Sequence, residues 1–156
     1  MKKLLLLTLS HLAIAFAGFS AGIYLLPVIT ATESPASAVM QAVAAKAEYE
    51  GVFKRDLQDS DFLHWGEGKL SVAADAIVFQ GELAPGPDYK LYLSPEFVET
   101  EADFNRLKDQ MVRIGDIDSF DGFLLSLPEG LNPARYSTAI IWCETFGQFI
   151  SAAQYR

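Results

Sequence analysis

Residues 66–93 read GEGKLSVAADAIVFQGELAPGPDYKLYL. Within them Lys69-Leu70-Ser71-Val72-Ala73 alternates polar and apolar, the pattern of a strand with one buried face. Ala76-Ile77-Val78-Phe79 follows directly on Ala74-Asp75, which predicts a hairpin, and Gly66-Glu67-Gly68 ahead of it reads as a turn cluster. Pro85-Gly86-Pro87-Asp88 is a stronger turn, because Pro fixes φ and Gly accepts positive φ. Tyr89 to Leu93 is then a further strand.

The same pattern continues outward. Strands are predicted over Tyr49–Arg55, Met111–Ile114, Phe120–Leu127, Tyr136–Cys143 and Phe149–Ala153. A turn at Asp116–Asp118 separates the second and third of these, and Pro128 to Pro133 forms a loop. Only Glu99–Gln110 reads as helical, with Phe104, Leu107 and Met111 on one face. About eight short strands with turns between them predict an all-β fold, an antiparallel sandwich or a partly open barrel. No period of about 20–50 residues recurs, which excludes solenoids and propellers.

The N-terminus has a different character. Lys2-Lys3 precedes Leu4 to Leu26, 23 residues without a formal charge. At about 1.5 Å per residue that run is long enough to cross a hydrocarbon core of about 30 Å. The positive-inside rule keeps Lys2 and Lys3 in the cytoplasm, Tyr24 falls near the far interface, and Pro27 is expected to end the helix. A cleaved export signal is the competing reading, with Ala36-Ser37-Ala38 as the cleavage triplet, but signal cores run only about 7–15 residues. Either way the following domain lies outside the cytoplasm, periplasmic or extracellular. His11 lies within this run, and Gly18 and Gly22 have a helix-packing spacing. The expected organisation is a membrane anchor or signal segment at 1–28, a linker at 29–48 and a β domain at 49–156. The linker is rich in Ala and Ser and is expected to be helical from Ser37 to Ala47.

All 20 acids and 10 of the 12 bases follow residue 32, so that part carries a formal charge of −10 (10 − 20). Such a surface argues against nucleic-acid binding, which needs clustered Lys and Arg.

Few residues are equipped for chemistry. Cys143 is the one cysteine, so no intrachain disulfide can form. A lone cysteine in an exported chain is a redox thiol, a cofactor ligand, half of an intermolecular bridge or a small buried hydrophobe. His64 is the one histidine of the globular part. No C-x-x-C, H-x-H or C-x-x-C-H occurs, so neither a zinc cluster nor a c-type haem is expected. One axial ligand suffices for a b-type haem, which keeps Cys143 and His64 as candidates for that cofactor. Asp116, Asp118 and Asp121 lack the calcium-loop spacing and read as turn residues. The absence of G-x-S-x-G, with a single histidine, argues against a serine hydrolase.

Residues 49–155 resemble the DM-thirteen domain, often described as an electron-transfer domain. The resemblance is carried by Gly51-Val52-Phe53, by His64 and Gly68 ahead of Leu70 and Val72, and by Gly86-Pro87-Asp88 leading to Tyr92-Leu93-Ser94. Gly115, the segment from Phe123 to Leu127-Pro128, and the ending Ile140-Ile141-Trp142-Cys143-Glu144-Thr145-Phe146 complete it. It implies an extracytoplasmic all-β domain whose nearly universal cysteine falls on Cys143. That cysteine is proposed to act in redox, as a bare thiol or by holding a prosthetic group such as haem. Cys143 would carry the chemistry, with Trp142 shielding it and His64 as a second contact to the cofactor. In animals such domains resemble links in a chain with DOMON and b-type cytochrome domains. Here only an anchor accompanies the domain, so the electron partner would be a separate protein. The alternative is a non-catalytic binding module with a structurally buried cysteine. Both readings favour an electron-transfer or binding domain over a stand-alone enzyme.

Overall fold

The computed structural model describes residues 1–156. Eight antiparallel strands form two four-stranded sheets. The first sheet has the order β1-β2-β3-β6, from β1 (Tyr49–Phe53), β2 (Gly66–Val72), β3 (Ala76–Leu83) and β6 (Gly122–Ser126). The second has the order β5-β4-β7-β8, from β4 (Tyr89–Ser94), β5 (Val112–Ile117), β7 (Thr138–Cys143) and β8 (Gln148–Gln154). The sheets pack as a sandwich around Phe53, Leu70, Ile77, Phe79, Leu91 and Ile141, all 1% exposed or less. This is the fold class that period-two patterning predicts.

The two sheets also meet along their edges. A Cβ on Gly51 of β1 would lie 2.8 Å from the Gln154 carbonyl of β8. Ser151 Oγ of β8 lies 2.9 Å from the Lys54 carbonyl and 3.0 Å from that of Gly66, and donates to them. The seam joins the first strand of the sandwich to the last.

Several boundaries differ from the sequence expectation. Gly66-Glu67-Gly68 is strand rather than turn. Gly68 pairs with Gly81 across the β2–β3 ladder, and the Phe79 ring fills the space their side chains would need. The turn expected at Asp116–Asp118 falls later, because β5 continues to Ile117. Asp116 is held on the strand by Lys90 at 3.1 Å and by Arg113. The three aspartates therefore do not share one loop.

The second sheet is covered on its outer face as well. Helix α3 (Glu101–Leu107), continued by a 3-10 turn to Gln110, lays Phe104 and Leu107 on Tyr92, Ile140, Trp142 and Phe149. Thr100 caps α3 by accepting from Asp103 N at 3.1 Å, and Asp59 accepts from Glu101 N at 2.7 Å. With both faces covered, every residue of β7 is buried.

Helix α1 runs from Lys2 to Thr30, and Pro27 does not end it. Proline removes one helical N–H but not the neighbouring bonds, and Pro27 is the one buried residue of the helix. The helix is long and apolar enough to cross a membrane. The chain leaving α1 is pinned to the sandwich, with Thr32 N donating to Asp118 O at 2.8 Å and the Ser34 and Ser119 hydroxyls 2.7 Å apart. Helix α2 (Ser37–Ala44) ends short of the expected Ala47 and buries Met40 beside Gly122.

Candidate functional site

Three loops and helix α1 gather at one end of the sandwich. Cys143 ends β7 and pairs with Tyr89, the first residue of β4. The loop before Tyr89 is Pro85-Gly86-Pro87, and the loop after Cys143 carries Phe146. The 54–65 loop is tied down nearby, with Ser60 Oγ donating to Ile150 O at 3.0 Å and Ala84 N to Trp65 O at 2.9 Å. Ser20, Ile23 and Tyr24 of α1 complete the ring.

The result is a pocket of about 280 Å³. Cys143, His64, Tyr89 and Phe146 line it, with Pro85 to Pro87, Leu63, and Ser20, Ile23 and Tyr24 of α1. Cys143 and His64, far apart in sequence, thus share one cavity. Trp142 does not. Successive strand residues point to opposite faces, so Trp142 lies beneath α3, stacked on Phe104 at 3.8 Å with planes 7° apart.

His64 is oriented by Asp61. Its Nδ1 lies 3.0 Å from Asp61 Oδ2, while Asp61 Oδ1 accepts from the backbone N–H of Leu63 at 2.7 Å and of His64 at 2.8 Å. Burial pushes the Asp61 carboxyl up, but these hydrogen bonds outweigh it and the net shift is downward. An ionised carboxylate only accepts, so Nδ1 carries the proton of the neutral ring and Nε2 keeps its lone pair.

Cys143 is 2% exposed. Burial pushes its thiol above the ordinary 9.0, and the Asp88 carboxylate adds to this. Asp88 stays ionised because Lys90 bonds it at 2.6 Å, with a further bond from Thr145 Oγ1 at 2.8 Å. Backbone N–H groups of Phe146, Asp88 and Thr145 act in the opposite direction and favour the thiolate. The resting group is a protonated thiol with donors already placed for its anion.

The pocket is open to one side, and Cys143 and His64, which both line it, are residue types able to ligate a haem iron. No three or more His, Cys, Asp or Glu side chains converge as a metal site.

On the opposite face of β7, Glu144 accepts from the Tyr92 hydroxyl and lies 2.9 Å from Lys108 Nζ. Burial raises the Glu144 carboxyl, but Tyr92 and Lys108 overcome it and hold it below its ordinary 4.5. A lowered carboxylate stabilises the fold above its unfolded value, and that contribution is lost as pH falls through the folded one. Glu144→Gln should therefore lower the melting temperature at neutral pH by about 4–8 °C. The gap to the parent should close as pH falls below 4.5, which thermal melts across the acid range would register.

Sequence reasoning picked out Cys143 and His64 as site residues but did not place Tyr89, Phe146 or the α1 residues beside them. These meet only through topology. The one sequence signal was the Pro-Gly-Pro turn set directly before a strand that begins with tyrosine.

An eight-stranded antiparallel sandwich with one cysteine at the floor of a small end pocket is the class of protein these features define. The chain matches the family model described as Electron transfer DM13 over residues 56–155, and it belongs to that family. No curated protein and no solved structure shows a significant match to the chain.

Proposed function

We propose that this chain is a membrane-anchored redox domain in which the Cys143 thiol is the reacting group and His64 its proton acceptor. Residues 1–28 are the anchor, 29–48 the connecting strap and 49–156 the working domain. Lys2 and Lys3 remain in the cytoplasm and the domain lies outside it. The electron partner is a separate molecule. The observation that carries this reading is the shared pocket of Cys143 and His64, in a chain of an electron-transfer family.

With one cysteine, the simplest two-electron step is exchange with an external disulfide. Cys143 Sγ forms a bond to one sulfur of that disulfide and its S–S bond breaks. The proton of the thiol passes to His64 Nε2 and then to the departing thiolate. Cys143 is oxidised to a mixed disulfide and the partner is reduced. Trp142 packs α3 and takes no part in the pocket.

A small chromogenic disulfide, applied to the full chain in mild detergent, tests this. One equivalent should react slowly at neutral pH and faster as pH rises, because the thiol ionises above 9.0. Cys143→Ser should abolish the reaction. His64→Gln should slow it by about 10²-fold at neutral pH, the lower end for a positioned base. It should have little effect in alkali, where the thiol ionises unaided. A native protein that does not react while its unfolded form does would instead support a binding module with an inert cysteine. The observation favouring that second reading is the 2% exposure of Cys143.

A further inference from the structure

We propose that the rim of the Cys143 pocket, formed by Leu63 and Phe146 with Phe62 beside them, is seated in the outer leaflet of the membrane. The inference rests on the reading of α1 as the anchor. It assigns to these loops a lipid surface as their partner.

The first support is depth. If Leu4 to Leu26 fill the hydrocarbon core, Leu26 stands at its outer edge. Ser20 then lies about 9 Å deeper and Tyr24 about 3 Å deeper, at about 1.5 Å per residue. Leu63 and Phe146 line the same small pocket as Ser20, Ile23 and Tyr24. The interfacial zone of each leaflet is only about 5–7 Å thick, so side chains level with this stretch of helix reach the lipid.

The second support is the character of those side chains. Beyond α1 and the Met1 that precedes it, six large apolar residues are exposed: Val39, Val52, Phe62, Leu63, Phe97 and Phe146. Half of them stand on the two rim loops. Phe62 is 85% exposed, Phe146 51% and Leu63 41%. Nothing in the fold requires them to face water, and a phenyl ring at the membrane boundary is well accommodated. Asp61 and Asp88 stand nearby, so insertion is driven by apolar contact rather than by attraction to anionic lipid. A neutral phosphatidylcholine surface is the fitting partner.

Full-length protein in phosphatidylcholine vesicles provides the test. In a Cys143→Ser background, Leu63→Cys, Phe146→Cys and Glu129→Cys would each carry an environment-sensitive fluorophore. Glu129 belongs to the loop before β7, at the end remote from Cys143. Flotation establishes that each protein is inserted, and retained tryptophan emission establishes that it is folded. Lipids bearing a quencher near the top of the acyl chain should remove most of the fluorescence at 63 and 146 and leave 129 unchanged. If the protein floats but 63 and 146 behave like 129, the rim stands in water and the inference falls while the anchor stands. Blue-shifted emission without lipid quenching would show a protein contact instead and would equally overturn it. Protein that fails to float would remove the anchor, and the inference with it.

Discussion

Gly81→Ala is expected to destabilise the protein by about 4 kcal/mol, among the largest effects of any single methyl group. Gly81 and Gly68 face each other in the β2–β3 ladder. A Cβ on Gly81 would lie 2.6 Å from Gly68 Cα and 2.8 Å from Phe79 Cζ, and would overlap the Glu67 carbonyl. Two of these three obstacles are backbone, so no rotamer change relieves them. The strands must separate, and each ladder hydrogen bond lost there costs about 1 kcal/mol more. Gly81 has no left-handed φ, so its effect would be wholly steric. Gly130 is the matching control: its φ is +79°, but nothing lies within 4 Å of an added Cβ. Gly130→Ala should cost only about 1 kcal/mol, from backbone strain alone. Urea unfolding of the two variants in the same detergent would register the difference. Equal midpoints would contradict the packing described for β2 and β3.

Phe104→Ala should cost about 3–5 kcal/mol, the range for removing a buried aromatic ring. Phe104 is fully buried between Trp142 at 3.8 Å and Tyr92 at 5.2 Å, the first stacked and the second edge-on. Helix α3 has seven residues, too few to persist without its packing. Loss of the ring should loosen α3 and expose Trp142, seen as a red shift of its emission before global unfolding. Cys143 lies on the other face of β7, so its reaction with a small disulfide should keep its pH profile in the folded fraction. A changed profile would mean that the two faces communicate and that Trp142 supports the thiol after all.

How far the sequence is readable follows from which forces are local. Alternation over Lys69 to Ala73 and the Asp75 turn mark a hairpin, because side-chain period and turn chemistry are properties of adjacent residues. Phe104 and Leu107 mark α3 for the same reason. Gly66-Glu67-Gly68 misleads, since glycine is as useful for letting two strands approach as for turning a chain, and only the partner Gly81 decides between them. Pro27 misleads similarly, because a helix can pass through a proline whose ring is packed. The pocket was half legible. Cys143 and His64 stand out by rarity, but their union depends on loops brought together by sheet order. The placement of Trp142 away from the thiol was in reach, since neighbours on a strand point to opposite sides.

The seam between β1 and β8 has a consequence for how the molecule is made. Gly51 closes against Gln154, and Ser151 ties off Lys54 and Gly66. The first strand of the sandwich is complete only when the last has arrived. A chain delivered from its N-terminus, by ribosome or by translocation pore, can form the β1-β2-β3 meander early but cannot close the barrel-like edge until about residue 154 has emerged. Completion then needs neither oxidant nor disulfide isomerase, because the one cysteine is unpaired. Closure of the native domain thus waits on β8, with residues 148–154 as its timer.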